Sequence, residues 1–255
     1  DTIKRYREVF YDPVFKQQRI IEGTKSALVD QSVQRPLVYS LTTMGKNLLG
    51  RKTIRDAVVL VFFDTAGEDL NDQDVLSTVN KYIYRSDGIL LLVDPLQLPQ
   101  VRDRLAKTTP LPNMNTETAD ILTRTTRLVQ RGLDLKEIDT ISIPLAVAFS
   151  KFDAVRPLVD DQFQLNASSH HDKAFDVQDF QAVNGEMMAL LDDWGGAGLV
   201  HQVRSRYPSH GFFGLSALGC NPHATRQIPR VAPQRVEDPF LWLLAENKLI
   251  RTTRS

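Results

Sequence analysis

The chain has 255 residues, of which 42% are hydrophobic and 24% are charged, and its formal net charge is zero. This is ordinary globular composition, and the balanced charge gives no general attraction to nucleic acid or to an anionic membrane. The single cysteine, Cys220, excludes an internal disulfide and a cysteine-based metal site. No apolar run approaches the roughly 18–20 residues that span a bilayer, so we expect a cytoplasmic protein without a membrane span.

The first third of the chain predicts a helix followed by a hairpin. Residues 2–20 place apolar side chains at helical spacing, with an interruption near Pro13, and residues 22–34 are polar and loop-like. Residues 35–43 and 57–64 are typical of strands. Because their connection is short and polar, we expect them to pair antiparallel. The second strand is so apolar that we expect it in the centre of a sheet.

The remainder predicts strands alternating with helices. Strands are predicted over residues 88–94, 143–153 and 210–219, and helices over residues 72–85, 116–132, 186–194, 199–207 and 236–250. Polar insertions are predicted at about 95–115 and 156–180. Alternation of this kind indicates an α/β fold with a mostly parallel sheet, one antiparallel strand and helices on both faces. In such sheets ligands bind at the carboxyl ends of the strands.

One strand end carries residues suited to phosphate and metal chemistry. Asp64 follows an apolar run, and its carboxylate can hold Mg²⁺ directly or through water. Gly67 lets a backbone N–H approach a terminal phosphate, and Glu68 lies where a side chain could orient an attacking water. The same spacing also fits a strand followed by an ordinary turn, and that alternative stays open.

Two further strand ends carry residues suited to a guanine base. After the strand that ends near residue 149 come Ser150, Lys151 and Asp153; the carboxylate can accept two hydrogen bonds from guanine, and the lysine stem can lie along the base. Ser216 and Ala217 follow the last strand, where a small-residue loop can bring a backbone N–H to the guanine carbonyl. Taken singly, each segment fits a solvated turn equally well.

In this order, the motifs resemble those of Ras-like P-loop GTPases, and most of all the bacterial double-GTPase domain families. The resemblance covers about residues 30–250 and implies one three-layer GTPase-like domain over residues 1–255. It implies Mg²⁺ binding by Asp64 with Thr24 as a second ligand, γ-phosphate contact by Gly67 and water positioning by Glu68. It assigns the residues of the other two strand ends to guanine. Ser150 departs from the Asn or Thr usual in these families, and Glu68 from their usual Gln.

The phosphate loop of such proteins, G-x-x-x-x-G-K-[ST], is not found in this chain. Residues 22–28 (EGTKSAL) and 43–50 (TMGKNLLG) contain Gly and Lys, but neither has the earlier glycine or the full spacing. Since a helix already begins near residue 2, we expect the domain to be N-terminally incomplete, with the loop and the first strand upstream or lost. For the chain as it stands we expect weak or no nucleotide binding.

Two functions follow from the resemblance. The first is a GTP-binding domain that hydrolyses GTP to GDP with Mg²⁺ and acts as a molecular switch, provided that the phosphate loop lies upstream. The alternative is a GTPase-like scaffold or protein-interaction module without catalysis. In either case we expect a protein partner or a second GTPase, and no nucleic acid. The His170-His171 pair with Asp172 is a poor metal motif, because adjacent side chains rarely converge on one ion.

Overall fold

A computed structural model shows the chain as two compact units, Asp1–Tyr82 and Ile83–Ser255. That the whole chain is one domain with two insertions stays a prediction. In the described part of the chain, no helix is long and apolar enough to cross a membrane. The structure describes the residues numbered 2–21, 36–46, 51–64, 80–106, 111, 113, 118–169, 171, 174–220, 228 and 230–253.

The first unit begins with a helix that changes type along its length. Helix α1 (Thr2–Tyr6) continues as a π-helix over Arg7–Lys16, and none of the residues in either part is buried. Pro13 lies inside the π-helix, so the predicted interruption at this residue is wrong. The carbonyl oxygen of Pro13 accepts a hydrogen bond from the N–H of Arg19 at 2.9 Å. We call residues 2–16 the N-terminal helix.

The predicted antiparallel hairpin is confirmed. Strands β1 (Leu37–Lys46) and β2 (Lys52–Phe62) pair antiparallel and form a two-stranded sheet of their own. The prediction that β2 is a central, buried strand is wrong, because Val59 is 65% exposed and Val61 is 49% exposed. An apolar sequence therefore does not mean that this strand is buried, because a two-stranded sheet leaves a whole face of side chains exposed.

The second unit contains a parallel sheet, so the α/β prediction is confirmed. Strands β3 (Ile89–Val93), β4 (Leu145–Phe149) and β5 (His210–Gly214) lie in the order β3-β4-β5. Every residue of the central strand β4 is fully buried, as an apolar parallel strand requires. Strand β3 is only half buried, with Leu92 60% exposed. The antiparallel strands belong to the other sheet rather than to this one.

The helices of the second unit follow the predicted order with shifted bounds. They are α2 (Pro99–Leu105), α3 (Thr118–Gly132), α4 (Phe152–Val155), α5 (Val177–Asp193), α6 (Ala197–Arg206) and α7 (Asp238–Glu246). Short 3₁₀ turns cover Asn80–Arg85, Pro95–Gln97, Arg156–Leu158 and Gln164–Asn166. Helix α5 starts nine residues earlier than the predicted 186, because Asp176 caps it by accepting hydrogen bonds from the N–H groups of Gln178 and Asp179.

Aromatic side chains fill the core on one face of the parallel sheet. The rings of Phe180, Phe213 and Trp242 lie with centroids 5.5–5.8 Å apart. They pack with Ala146 and Ala148 of β4 in a single buried cluster. The small alanines make room for the large rings, which fixes α7 against the sheet.

Candidate functional site

The carboxyl ends of the three parallel strands lie side by side, as the sequence predicted. The register aligns Val93, Phe149 and Gly214, the last residues of β3, β4 and β5. Backbone hydrogen bonds continue this alignment beyond the strands: Ser150 N–H donates to the Val93 carbonyl at 2.8 Å, and Leu215 N–H to the Phe149 carbonyl at 2.9 Å. We call this place the carboxyl edge.

The predicted base-binding residues meet at the carboxyl edge and bind one another. Lys151 Nζ lies 2.6 Å from Asp94 Oδ2. The Ser216 hydroxyl donates to Asp153 Oδ1 and accepts the N–H of Gly219 at 2.8 Å. These charges and hydroxyls therefore have internal partners that hold the strand ends together. No observation tests whether Ser150, Lys151, Asp153, Ser216 or Ala217 also contacts a nucleotide, and that role stays a prediction.

The structure describes one of the predicted phosphate- and metal-binding residues, Asp64. Asp64 follows β2 in the first unit and is exposed. Thr24, Gly67 and Glu68 lie outside the described residues, so their predicted roles stay untested. The same holds for the predicted Mg²⁺ and GTP or GDP.

A buried ionic network that the sequence did not reveal surrounds Arg235. Its side chain is 1% exposed, and its five N–H donors meet five acceptors. Nη1 donates to Asp179 and Asp238 at 2.8 and 2.7 Å, and Nη2 donates to Asp179 and to the Gln164 carbonyl at 3.0 and 2.8 Å. Nε donates to the Ala167 carbonyl at 3.0 Å.

This network has a clear electrostatic signature. Burial by itself would raise the pKa of Asp179, but hydrogen bonds from Arg235 and Gln164 and the guanidinium charge outweigh it, so the pKa lies below its ordinary value. Burial would lower the pKa of Arg235, and the two carboxylates raise it. Arg235 thus joins the segment around residues 164–167 to helices α5 and α7.

The sequence made the motif around His171 a poor metal candidate, yet His171 lies in a group of ligand-type side chains. It groups with Asp179 and Asp238, whose ligand atoms lie within 4.8 Å of one another. Its Nδ1 accepts the N–H of Asp176 at 3.1 Å, so the proton of the neutral ring is on Nε2, which faces Asp238 Oδ1 at 3.5 Å. A metal ligand needs the lone pair of that nitrogen. The Arg235 guanidinium already binds both carboxylates, so the group fits a structural network better than a metal site.

One cavity of the second unit is lined by no residue of the carboxyl edge. It is an open groove of about 640 Å³ between α5 and α6, lined by apolar side chains such as Met188 and Val200 and by polar ones such as Asp192 and Arg204. A buried ligand pocket is instead enclosed on most sides. The groove therefore does not support a small-molecule site.

The first unit presents an exposed apolar surface on its hairpin. Directly opposed residues of an antiparallel pair share a face, as do alternate residues of one strand. The pairs Val38–Val61, Ser40–Val59 and Thr42–Ala57 therefore form one face, all of whose side chains are exposed. We call this set the open hairpin face. Exposed apolar surface of this kind is typical of a protein-binding site.

Comparison with known proteins gives one informative similarity. The chain is 26% identical over 262 residues to SaeC of Mycolicibacterium smegmatis, a protein provisionally named as an ESX-1 scaffolding and assembly protein. The aligned region covers 95% of this chain and 63% of the relative, so the chain spans less than two thirds of the relative's length. No family model matches the chain, and no solved structure matches it.

These comparisons overturn the resemblance to Ras-like and double-GTPase families. The relative found is named for scaffolding and assembly, and neither a GTPase family model nor a GTPase structure matches. The prediction of a Mg²⁺-dependent GTPase that acts as a switch is therefore wrong. The physical reason is that the motifs were short, and the two that the structure describes have structural partners at the carboxyl edge.

Proposed function

We propose that this chain is a protein-interaction module that serves in the scaffolding and assembly of a larger protein complex. The observation that carries the proposal is the similarity to SaeC, which extends over nearly the whole chain. The open hairpin face supports the proposal, because its exposed β-branched side chains would bury apolar surface when another protein packs against them. The relative's role is a guide to this chain and concerns a longer protein.

The proposal is tested by cross-linking and mass spectrometry of the tagged full chain in its native host. We expect a reproducible set of partner proteins, and we expect Val59→Lys with Val61→Lys to remove most of them. Both valines are exposed, so the fold should tolerate the change. The variant Val59→Thr with Val61→Thr keeps the β-branched shape and should lose fewer partners.

Ile138→Lys is a matched control, because Ile138 is 78% exposed and lies in the other unit. This variant should keep all the partners. A chain that cross-links to no other protein, or partners that the hairpin variants leave unchanged, would contradict the proposal. Calorimetric titration with Mg·GTP should show weak or no binding, and submicromolar affinity would also count against an interaction module without nucleotide.

A further inference from the structure

The N-terminal helix carries four aromatic residues along one side. Neighbouring rings along the helix lie close together. The ring centroid of Tyr6 lies 6.2 Å from that of Phe10 and 6.4 Å from that of Tyr11, and the centroids of Tyr11 and Phe15 lie 5.0 Å apart. In a π-helix, residues four and five apart share a side, because the backbone bonds join i to i+5. We call Tyr6, Phe10, Tyr11 and Phe15 the aromatic ladder.

Three of the four residues of the aromatic ladder are exposed, and Phe10 is half-buried. Tyr6 and Tyr11 are each 40% exposed and Phe15 is 48% exposed, and no residue of the helix is buried. Large aromatic side chains contribute most to stability when they are buried. π-Helical segments are rare and occur frequently at functional sites. The exposed rings and the π-helical backbone both indicate that this side of the helix binds another molecule.

The same segment carries an excess of basic residues, in a chain whose formal net charge is zero. Residues 2–21 contain five basic residues, Lys4, Arg5, Arg7, Lys16 and Arg19, and two acidic residues, Glu8 and Asp12. The acidic residues pair with lysines one helical turn away, Glu8 with Lys4 at 3.9 Å and Asp12 with Lys16 at 2.9 Å. The basic residues outnumber the acidic ones, so the segment is positively charged.

We propose that the aromatic ladder docks into an acidic, apolar-floored groove of a partner protein. Tyr, Phe and Arg are the residues that protein interfaces favour, and an amphipathic helix in a groove is a common binding mode. Complementary charge then requires acidic side chains around the groove. This inference rests on the proposed function and adds to the open hairpin face a second binding element, with the chemistry of its partner.

Two other occupants fit the observations less well. A membrane-surface helix needs its apolar residues gathered on one face, whereas Val9 is exposed and does not share the four- and five-residue spacing of the ladder in the π-helix. A second copy of the chain would bring two helices of the same positive charge together, which electrostatic repulsion opposes.

The test is selection of a random phage-displayed peptide library on the immobilised full chain, followed by fluorescence polarisation with the enriched peptides. We expect peptides rich in Asp and Glu that also contain a large apolar residue. Tyr11→Ala with Phe15→Ala should weaken their binding at least tenfold. Arg7→Glu with Arg19→Glu should do the same and reduce the dependence on salt. The arginine variant leaves the ladder intact, so it still tests the proposal if the ladder variant misfolds.

The hairpin variant Val59→Lys with Val61→Lys is the control and should change peptide affinity less than twofold. The inference is overturned by no enrichment, by enriched peptides without acidic residues, or by binding that the ladder and arginine variants leave unchanged. It is also overturned by stronger binding to phosphatidylglycerol vesicles or by self-association lost in the ladder variant. Partners lost in the cell only with the hairpin variant would overturn this inference and leave the proposed function standing.

Discussion

Replacement of Arg235 by methionine should strongly destabilise the second unit. The change removes five hydrogen bonds and leaves the carboxylates of Asp179 and Asp238, whose side chains are 9% and 5% exposed, without their cation. Breaking a buried ion pair from one side costs about 3–5 kcal/mol. For a domain of about 150–250 residues, each kcal/mol lowers Tm by about 2–4 °C, so we expect a decrease of about 6–20 °C.

The pH dependence of this loss identifies its cause. Because the pKa of Asp179 is lowered in the folded state, its stabilisation is complete above the ordinary value of 3.8 and is lost as the pH falls through the folded value. At low pH the wild-type chain therefore loses the stabilisation that the pairing of Asp179 with Arg235 provides. The Arg235→Met variant lacks this stabilisation at every pH. The Tm difference between Arg235→Met and the wild type should be large at pH 7 and smaller at pH 3.

Differential scanning calorimetry at both pH values measures this prediction. Arg230→Met is the matched control, since Arg230 is exposed on the same segment, and it should change Tm by no more than about 2 °C, the effect of a surface substitution. A Tm decrease for Arg235→Met as small as that of the control, or one that is equal at both pH values, would refute the assignment of a buried ionic network.

Two further stability predictions compare matched positions. Gly219 has φ +72°, and an added Cβ would lie 2.1 Å from the carbonyl oxygen of Ala232, so Gly219→Ala should lower the stability by at least about 2 kcal/mol. Gly185 in α5 has open space around it, so Gly185→Ala should raise the stability by about 0.5–1 kcal/mol. Urea unfolding curves distinguish the two signs. Ser216→Ala should cost about 1–3 kcal/mol, because it removes two hydrogen bonds of a buried hydroxyl, each worth about 0.5–1.5 kcal/mol. Lys151→Met should cost less than about 1 kcal/mol, since the Lys151 side chain is 55% exposed, and equal losses in the two variants would contradict this account.

Local pattern was sufficient to predict the parallel sheet and its carboxyl edge. The run that forms β4 is apolar throughout, as a strand buried on both faces must be, and the parallel direction then brings Asp94, Ser150 and Leu215 to one edge. The hairpin was equally predictable from two strands joined by a short connection. The same apolar criterion failed for β2, because the exposed residues of the open hairpin face are also apolar.

The Arg235 network was beyond reach of the sequence for a different reason. Its partners Asp179 and Gln164 lie 56 and 71 residues away along the chain. A lone arginine among prolines is typical of a solvated linker, and only the tertiary contacts show that it is buried. The π-helix was missed because residues four apart fit both helix types, although the pair Tyr6–Tyr11, five apart, was the available signal.

The polar residues at the carboxyl edge show why motif order can mislead about chemistry. Each strand of a parallel sheet ends at this edge, where the chain must turn and its backbone groups need partners. Asp94 accepts the N–H of Leu96 at 3.0 Å, the Ser150 hydroxyl donates to the Val93 carbonyl at 3.1 Å, and Ser216 holds Asp153. The architecture by itself therefore favours short polar residues after each strand. A nucleotide site needs more than their order, namely side chains whose hydrogen bonds remain available to the ligand.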